Sequence, residues 1–478
     1  MRLYIKSLIL ISCVSGGNGL CNAYNPYLPP SVNIEVDGLH FDIYDQYSDN
    51  YASITSVYNN ETYIDTLTIP ETVNYEGKAF VVKEMETDAC QDKIIENLFM
   101  SENLKTIGAY AFYGTEVRNL YIPDLKNWCD KNFKTEKISD SYSIYPWARY
   151  SIPIGHETQI YIAGEKISDV WNIDTPGLTY IFDFPYLNIE KIIIGPEIRL
   201  ISTFNNSTIK EFVGGDGLNS IDGYTFLYCE NLETLTFTGG PLKIWPFSFA
   251  GCPIKRVNIS SVDNWAQSGF DAGGSLEVNP YVYPPLGFSY DLYLDGEKVE
   301  DVVITSAVTE LEGWSFAGSN IKSVICEEGL ISTGTCPFNY CSQLESITFP
   351  SSLEFFECNF YGCDNLKRIT VKAQYPPKLE KYSWFDDYDI YYLIRNDELL
   401  ENCVVEVPEG SVEFYRNDAL WGLFKNIIPI GGASGVEEIG AVDSLSGPKA
   451  VYDLHGRKVS GENLAPGIYV IDGKKIKI

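Results

Sequence analysis

Apolar and polar positions along this chain repeat on two length scales. At short range they alternate, as in Ile64-Asp65-Thr66-Leu67-Thr68-Ile69 and Ile160-Tyr161-Ile162. Alternation with β-branched and aromatic enrichment predicts short strands with one face inward. At long range a phrase, Phe-x-x-Cys, returns at a fixed pitch. Phe226 and Cys229 are followed 23 residues later by Phe249 and Cys252, and Phe338–Cys341 and Phe360–Cys363 are 22 residues apart. Ser or Thr replaces Cys in Phe112–Thr115, Phe204–Ser207 and Phe316–Ser319, and Cys90 takes the Phe position 22 residues before Phe112. An apolar x-x-Leu-x-x-Leu-x-Phe run follows, as in Leu232, Leu235, Phe237 and Leu344, Ile347, Phe349. A period in the low twenties means that each unit buries its apolar face only against its neighbours.

The expected fold class is therefore a repeat solenoid, a leucine-rich-repeat right-handed superhelix rich in short parallel β-strands. Equivalent residues of successive turns should lie over one another, so Phe112, Phe204, Phe226, Phe249, Phe316, Phe338 and Phe360 form the expected core ladder. The chain divides into a signal peptide (1–23), an N-terminal β cap (24–83), the repeat array (84–372), a C-terminal cap (373–430), a linker (431–447) and a small C-terminal β unit (448–478). Two related inserts interrupt the array, at about 127–166 and 264–298. They open on Asn127-Trp128 and Asn264-Trp265 and close on a strand with a Gly-Glu-Lys turn, Ala163-Gly164-Glu165-Lys166 and Asp295-Gly296-Glu297-Lys298. Such dipeptides between alternating apolar residues mark hairpins. Insertions in solenoids project from one face, often the binding face.

Composition narrows the partners. A net charge of −30 disfavours nucleic acid and anionic lipid, both of which attract Lys and Arg. Arg2 and Lys6, the apolar run Leu8–Val14 and Cys21-Asn22-Ala23 have the form of an export signal cleaved near Ala23. Lipoprotein anchoring at Cys13, after Leu10-Ile11-Ser12, is the alternative. No later segment has the length of a membrane span. Twelve cysteines in an exported chain suggest disulfides, but Cys229, Cys252, Cys341 and Cys363 share a slot with Ser and Thr, so they read as packing residues. No Cys-x-x-Cys pair exists and there are three His, which leaves no expectation of a metal, and no cofactor motif is present.

No nucleophile elbow, zinc-protease helix or phosphate loop occurs, so the chain reads as a binder rather than an enzyme. A hydrolase with an unrecognised carboxylate pair is the remote alternative. The candidate ligand-binding residues are the rings and acids of the irregular segments: Tyr145 and Trp147, Tyr281 and Tyr283, and Trp384 with Asp386 and Asp387. Tyr and Trp supply rigid amphipathic area, and neighbouring carboxylates could bond sugar hydroxyls or a basic peptide.

The Phe-x-x-Cys repeats, the Asn-Trp inserts and Tyr375-Pro376-Pro377 resemble the BspA-type leucine-rich-repeat surface proteins of Gram-negative anaerobes. The tail, Val451-Tyr452-Asp453-Leu454-His455-Gly456-Arg457 with Pro466-Gly467-Ile468-Tyr469, is similar to C-terminal sorting domains of type IX secretion. The resemblance implies surface display, binding of a protein or glycan ligand, and contact with secretion machinery through residues 448–478. It carries over no ligand residue. A glycan binder should show exposed coplanar aromatics on one face, and a protein binder a broader mixed patch.

Overall fold

A computed structural model describes residues 32–45, 50–57, 62–134, 151–270, 284–357, 360–378 and 397–432, together with the backbone of four short strands between 451 and 477. The chain is a β-solenoid of about 14 turns with mostly parallel strands and little helix. Among the described residues, no helix is long and apolar enough to cross a membrane.

The solenoid opens on an antiparallel sheet, Val32–Val36, Leu39–Tyr44 and Tyr51–Val57. Leu39, Phe41 and Ile43 point inward while their neighbours remain partly exposed, as the alternation predicts. Tyr51–Val57 then pairs in parallel with Lys78–Met85, and the coil begins.

Each regular turn contributes a four-residue strand to one sheet and a two-residue strand to another. In the middle of the chain the long strands are Val170–Ile173, Lys191–Ile194, Glu211–Gly214, Thr234–Phe237, Arg256–Ile259 and Asp291–Leu294, in that spatial order. Their register sets Trp171, Ile192, Phe212, Leu235, Val257 and Leu292 side by side, all buried. Equivalent inward positions thus stack turn upon turn, because one backbone path repeats. The repeat phenylalanines form a second internal row. All seven are buried, and Phe204, Phe226 and Phe249 stack with centroids 5.7 and 5.2 Å apart. Phe316 and Phe338 stack likewise at 5.6 Å.

In their described residues the inserts continue the sheets of the array. Leu120 before the first insert pairs directly with Ile160 in its closing strand, and Val257 pairs likewise with Leu292 in the closing strand of the second. Each insert starts with a short helix that the strand alternation does not announce. Leu125–Cys129 is capped by Asp124, whose carboxylate accepts from Asn127 N at 2.7 Å, and Val262–Ala266 by Ser261, accepting from Asn264 N at 3.1 Å. Trp128 and Trp265 are buried at these helices. Each insert then closes its sheet with an antiparallel strand, Glu165–Lys166 or Glu297–Lys298, and a new sheet begins.

The Cys/Ser/Thr slot is a small buried packing position, as read, and also a hydrogen-bonding one. Its side chain mostly donates a hydrogen bond to the carbonyl of the Phe position one turn earlier. The Sγ atoms of Cys229, Cys252, Cys341 and Cys363 meet the carbonyls of Phe204, Phe226, Phe316 and Phe338 at 3.2, 3.0, 3.2 and 3.0 Å. Thr115 Oγ1 does the same to Cys90 O at 2.6 Å. Ser207 inverts the role, its hydroxyl accepting from Leu187 N. All nine described cysteines are free thiols. Burial pushes the Cys341 thiol up to about 12, so it packs as an un-ionised donor. Cys229→Ser should accordingly melt close to the parent. Cys229→Val, which keeps size but strands a buried carbonyl, should lose about 1–3 kcal/mol. Thermal melting of the two variants decides; equal tolerance of Ser and Val would refute the donor role, as would quantitative bridging of these cysteines by mass spectrometry.

Candidate binding surface

The core rows repeat, but the outward rows change chemistry from block to block. In the first long-strand sheet of the coil, Tyr63–Thr68, Ile94–Phe99, Glu116–Ile122 and Gln159–Ile162, the register places Thr68, Phe99, Tyr121 and Tyr161 in one outward row. The Phe99 and Tyr121 rings stack at 4.2 Å with 8° between planes, and Tyr121 and Tyr161 at 4.6 Å with 17°. These distances are close to the strand spacing. Tyr121 therefore has a ring on each face, and the row presents edges and hydroxyls rather than flat faces. Beside it Asn119 Nδ2 donates to Asn97 Oδ1 at 3.3 Å and to Glu96 O at 3.0 Å, so these amides too are spent within the sheet.

In the second sheet Tyr293 stands where Tyr161 stands in the first, after the equivalent insert. Its ring is covered by the Arg256 guanidinium, 3.4 Å from the centroid. Arg256 Nε in turn donates to Asn258 Oδ1 at 2.9 Å, and Asn258 Nδ2 to Thr236 Oγ1 at 2.9 Å. In the third sheet the outward row starts with the paired and exposed Val303 and Ile325.

A different aromatic surface lies on the turns that carry the repeat phenylalanines. Two positions adopt left-handed backbone in most of these turns, two residues before Phe and two residues after it. The first is aromatic in four turns, Tyr110, Tyr224, Phe247 and Trp314, with φ between 55° and 62°, and is Cys336, with φ 53°, before Phe338. The second is Gly114, Gly251, Gly318 or Gly362 in four turns, but Asn206, Tyr228 and Tyr340 in three others. Glycine takes this conformation without steric cost; a tyrosine does not. The Tyr228 ring lies across the next turn's Gly251, where an added methyl would sit 2.8 Å from Cδ1. Tyr340 crosses Gly362 in the same way, at 2.7 Å. Tyr228, Trp245 and Phe247 are 48%, 38% and 43% exposed, and Tyr224 is half-buried beside them.

The ligand candidates read from the sequence, Tyr145, Trp147, Tyr281, Tyr283, Trp384, Asp386 and Asp387, all lie outside the described residues. Sequence reasoning passed over the turn-face rings. Their signal was present in the repeat frame: Tyr228 occupies a slot that is Gly in the following turn. Among the described residues, no group of three or more His, Cys, Asp or Glu is placed to hold a metal ion.

The base of the first insert holds two strongly perturbed ionisable groups. Lys131 is buried and gives its ammonium to Ser101 O, Leu104 O and Asn127 Oδ1 at 3.1, 2.6 and 2.7 Å. Burial lowers its pKa to about 8. Nearby, Trp128 Nε1 donates to the backbone carbonyl of Asp183 at 3.2 Å, and burial raises the Asp183 carboxyl to about 7. This arrangement anchors the insert to the turns on either side of it.

Comparison with known proteins bears on the whole array. A family model, the BspA type leucine rich repeat region, matches in six copies over residues 47–139, 178–277 and 290–390. Three solved structures are similar. A leucine-rich repeat protein from Bacteroides ovatus ATCC 8483 has 15% identity, covers 79% of this chain and 77% of its own, and gives a TM-score of 0.35. A leucine rich cell surface protein from Faecalibacterium prausnitzii A2-165 has 16% identity over 71% of this chain and 94% of its own, with a TM-score of 0.31. The pneumococcal vaccine antigen PcpA has 15% identity over 84% of this chain and 99% of its own, with a TM-score of 0.33. No curated protein matches.

Proposed function

The chain belongs to the BspA-type leucine-rich-repeat family, and from that premise we propose that it is an exported repeat protein displayed at the cell surface as a non-catalytic binding scaffold, an adhesin for a host or bacterial ligand. The observation that carries this reading is the contrast between its two kinds of row. Inward positions repeat one apolar choice, whereas outward positions of equivalent strands run from Phe99 and Tyr121 to Arg256 and Asn258 to Val303 and Ile325. Packing demands the first pattern and is indifferent to the second. A varied outer surface on a uniform support is what recognition uses in solenoid proteins. The test is a screen of residues 24–478 against arrays of matrix proteins, bacterial surface proteins and glycans. Binding to none of them above background would end the scaffold reading.

Residues 448–478 are proposed as the sorting signal of this export. The strands Val451–Tyr452, Lys458–Val459, Ile468–Ile471 and Lys474–Lys477 form an antiparallel sheet among themselves, which supports a unit distinct from the parallel array. A unit this small has little core and suits a signal better than a ligand-binding domain. Deleting 448–478 should leave the melting of the array unchanged and lower the amount labelled at the cell surface. A much lower melting point with unchanged surface labelling would make the tail part of the C-terminal cap instead.

A further inference from the structure

We infer that the turn face formed by Tyr224, Tyr228, Trp245 and Phe247 is a platform for a neutral glycan chain, a reading that rests on the surface-scaffold function and names its ligand class. The first reason is conformational. Tyr224, Tyr228 and Phe247 hold φ of 62°, 57° and 59°, a region where bulky side chains are outliers. Strain of this kind persists where something other than local preference selects the residue. Burial does not select these rings, because Tyr228 and Phe247 are 48% and 43% exposed. Glycine would relieve the backbone at each position, and Gly251 and Gly318 fill the Tyr228 slot elsewhere. The chain therefore keeps exposed aromatic surface at Tyr228, where other turns hold glycine, and at Phe247, where glycine would be unstrained.

The second reason is geometric. Tyr224 and Phe247 occupy the same slot in successive turns, and their rings lie parallel, 5.4 Å between centroids and 15° between planes. Trp245, two residues before Phe247, is fixed by its indole N–H, which donates to Ser220 Oγ at 3.3 Å, and by the Lys243 ammonium, 4.1 Å from its ring centroid. Fixed rings bind without losing much side-chain freedom. Equivalent rings repeated along the solenoid axis suit a ligand that is itself a repeat, and the C–H faces of pyranose rings pack on aromatic surfaces. A protein carrying net charge −30 repels polyanions, which selects neutral sugars over sulfated or sialylated ones.

The same backbone strain supplies a clean test. Phe247→Gly and Trp245→Ala, made in residues 24–478 and combined, remove rings from the platform, and the glycine favours the local conformation. Parent and variant are applied to an array of neutral oligosaccharides (β-glucans, mannans, galactans and unsialylated O-linked glycans) and to an array of matrix proteins. The parent should bind at least one neutral oligosaccharide, the double variant should bind it about tenfold or more weakly, and Phe247→Gly alone should melt at or above the parent temperature. The glycan assignment is overturned if no neutral oligosaccharide binds, if binding survives the double variant, or if Phe247→Gly melts far below the parent. Loss of a matrix-protein contact in the variant, with no glycan bound by the parent, would also overturn it while leaving the scaffold function intact. Failure of the parent on both arrays would overturn it and count against that function as well.

Discussion

Phe226→Ala should lose about 3–5 kcal/mol of unfolding free energy, the usual loss for a fully buried phenylalanine. The ring is completely inaccessible and is held from three sides: by Phe204 at 5.7 Å, Phe249 at 5.2 Å and Phe212 at 4.9 Å. Two of these neighbours are the same slot in adjacent turns, so the cavity cannot be filled by a rotamer change in one turn without disturbing the next. Position adds to the effect. Stability in a solenoid is a sum of turn terms and nearest-neighbour interfaces, and a defect in the middle weakens the interfaces on both sides. Urea unfolding should therefore show either a large drop in midpoint or a split into two transitions. Phe226→Leu keeps most of the volume and should lose about 1.5 kcal/mol or less. A loss below about 1 kcal/mol for Phe226→Ala would mean that the row is not the structural spine of the array.

The fold was legible because the same burial constraint acts once per turn. A position that must be apolar in every turn leaves a periodic trace, and Phe204, Phe226, Phe249, Phe316, Phe338 and Phe360 supplied it without any help from strand prediction. The outward rows leave no such trace, since solvent tolerates Phe99, Asn258 or Val303 equally well. The aromatic stack of the first sheet joins Tyr121 to Tyr161 in the closing strand of the first insert, and that insert destroys the spacing by which they could have been matched. An ionic row escaped notice for a related reason. The residue just before the strand runs Glu190, Lys210, Glu233, Lys255 in one block and Glu300, Lys322, Glu345, Lys367 in the next. Lys210–Glu190, Lys255–Glu233, Lys322–Glu300 and Lys367–Glu345 all pair, at 2.7, 2.5, 2.7 and 3.6 Å. Its sign alternates from turn to turn, so its period is two turns and not one. Each exposed pair adds little stability, but a slip of one turn would set like charges together, so the row favours correct register. The ring and acid candidates placed in the irregular segments had only composition behind them. Tyr228 and Tyr340 could have been found from a second question asked of the repeat frame, namely which slots hold a large residue where other turns hold glycine.

Asp183→Asn should stabilise the protein at neutral pH and have no stabilising effect in acid, the reverse of the usual behaviour of a carboxylate. Most acidic groups are stabilised as anions by folding and make proteins weaker as pH falls. Here burial raises the Asp183 carboxyl from its ordinary 3.8 to about 7. The sign follows from proton counting. Between about pH 4 and pH 7 the folded chain keeps a proton that the unfolded chain has released, so stability declines as pH rises through that window. Below it both states are protonated and the penalty vanishes; above about pH 7 both are ionised and the penalty is constant. The full span corresponds to a ceiling of about 4 kcal/mol. Asparagine is a close match in shape, tolerates the φ of 66° at this residue as aspartate does, and never ionises. It also leaves untouched the backbone carbonyl that receives the Trp128 indole N–H. Other carboxylates titrate in the same range, so the informative quantity is the difference in unfolding free energy between variant and parent, measured by denaturant titration from pH 4 to pH 8. That difference should grow in favour of Asn as pH rises to about 7 and then level off. A difference that does not depend on pH, or a variant weaker than the parent at pH 8, would show that the buried acid is ionised and compensated within the fold.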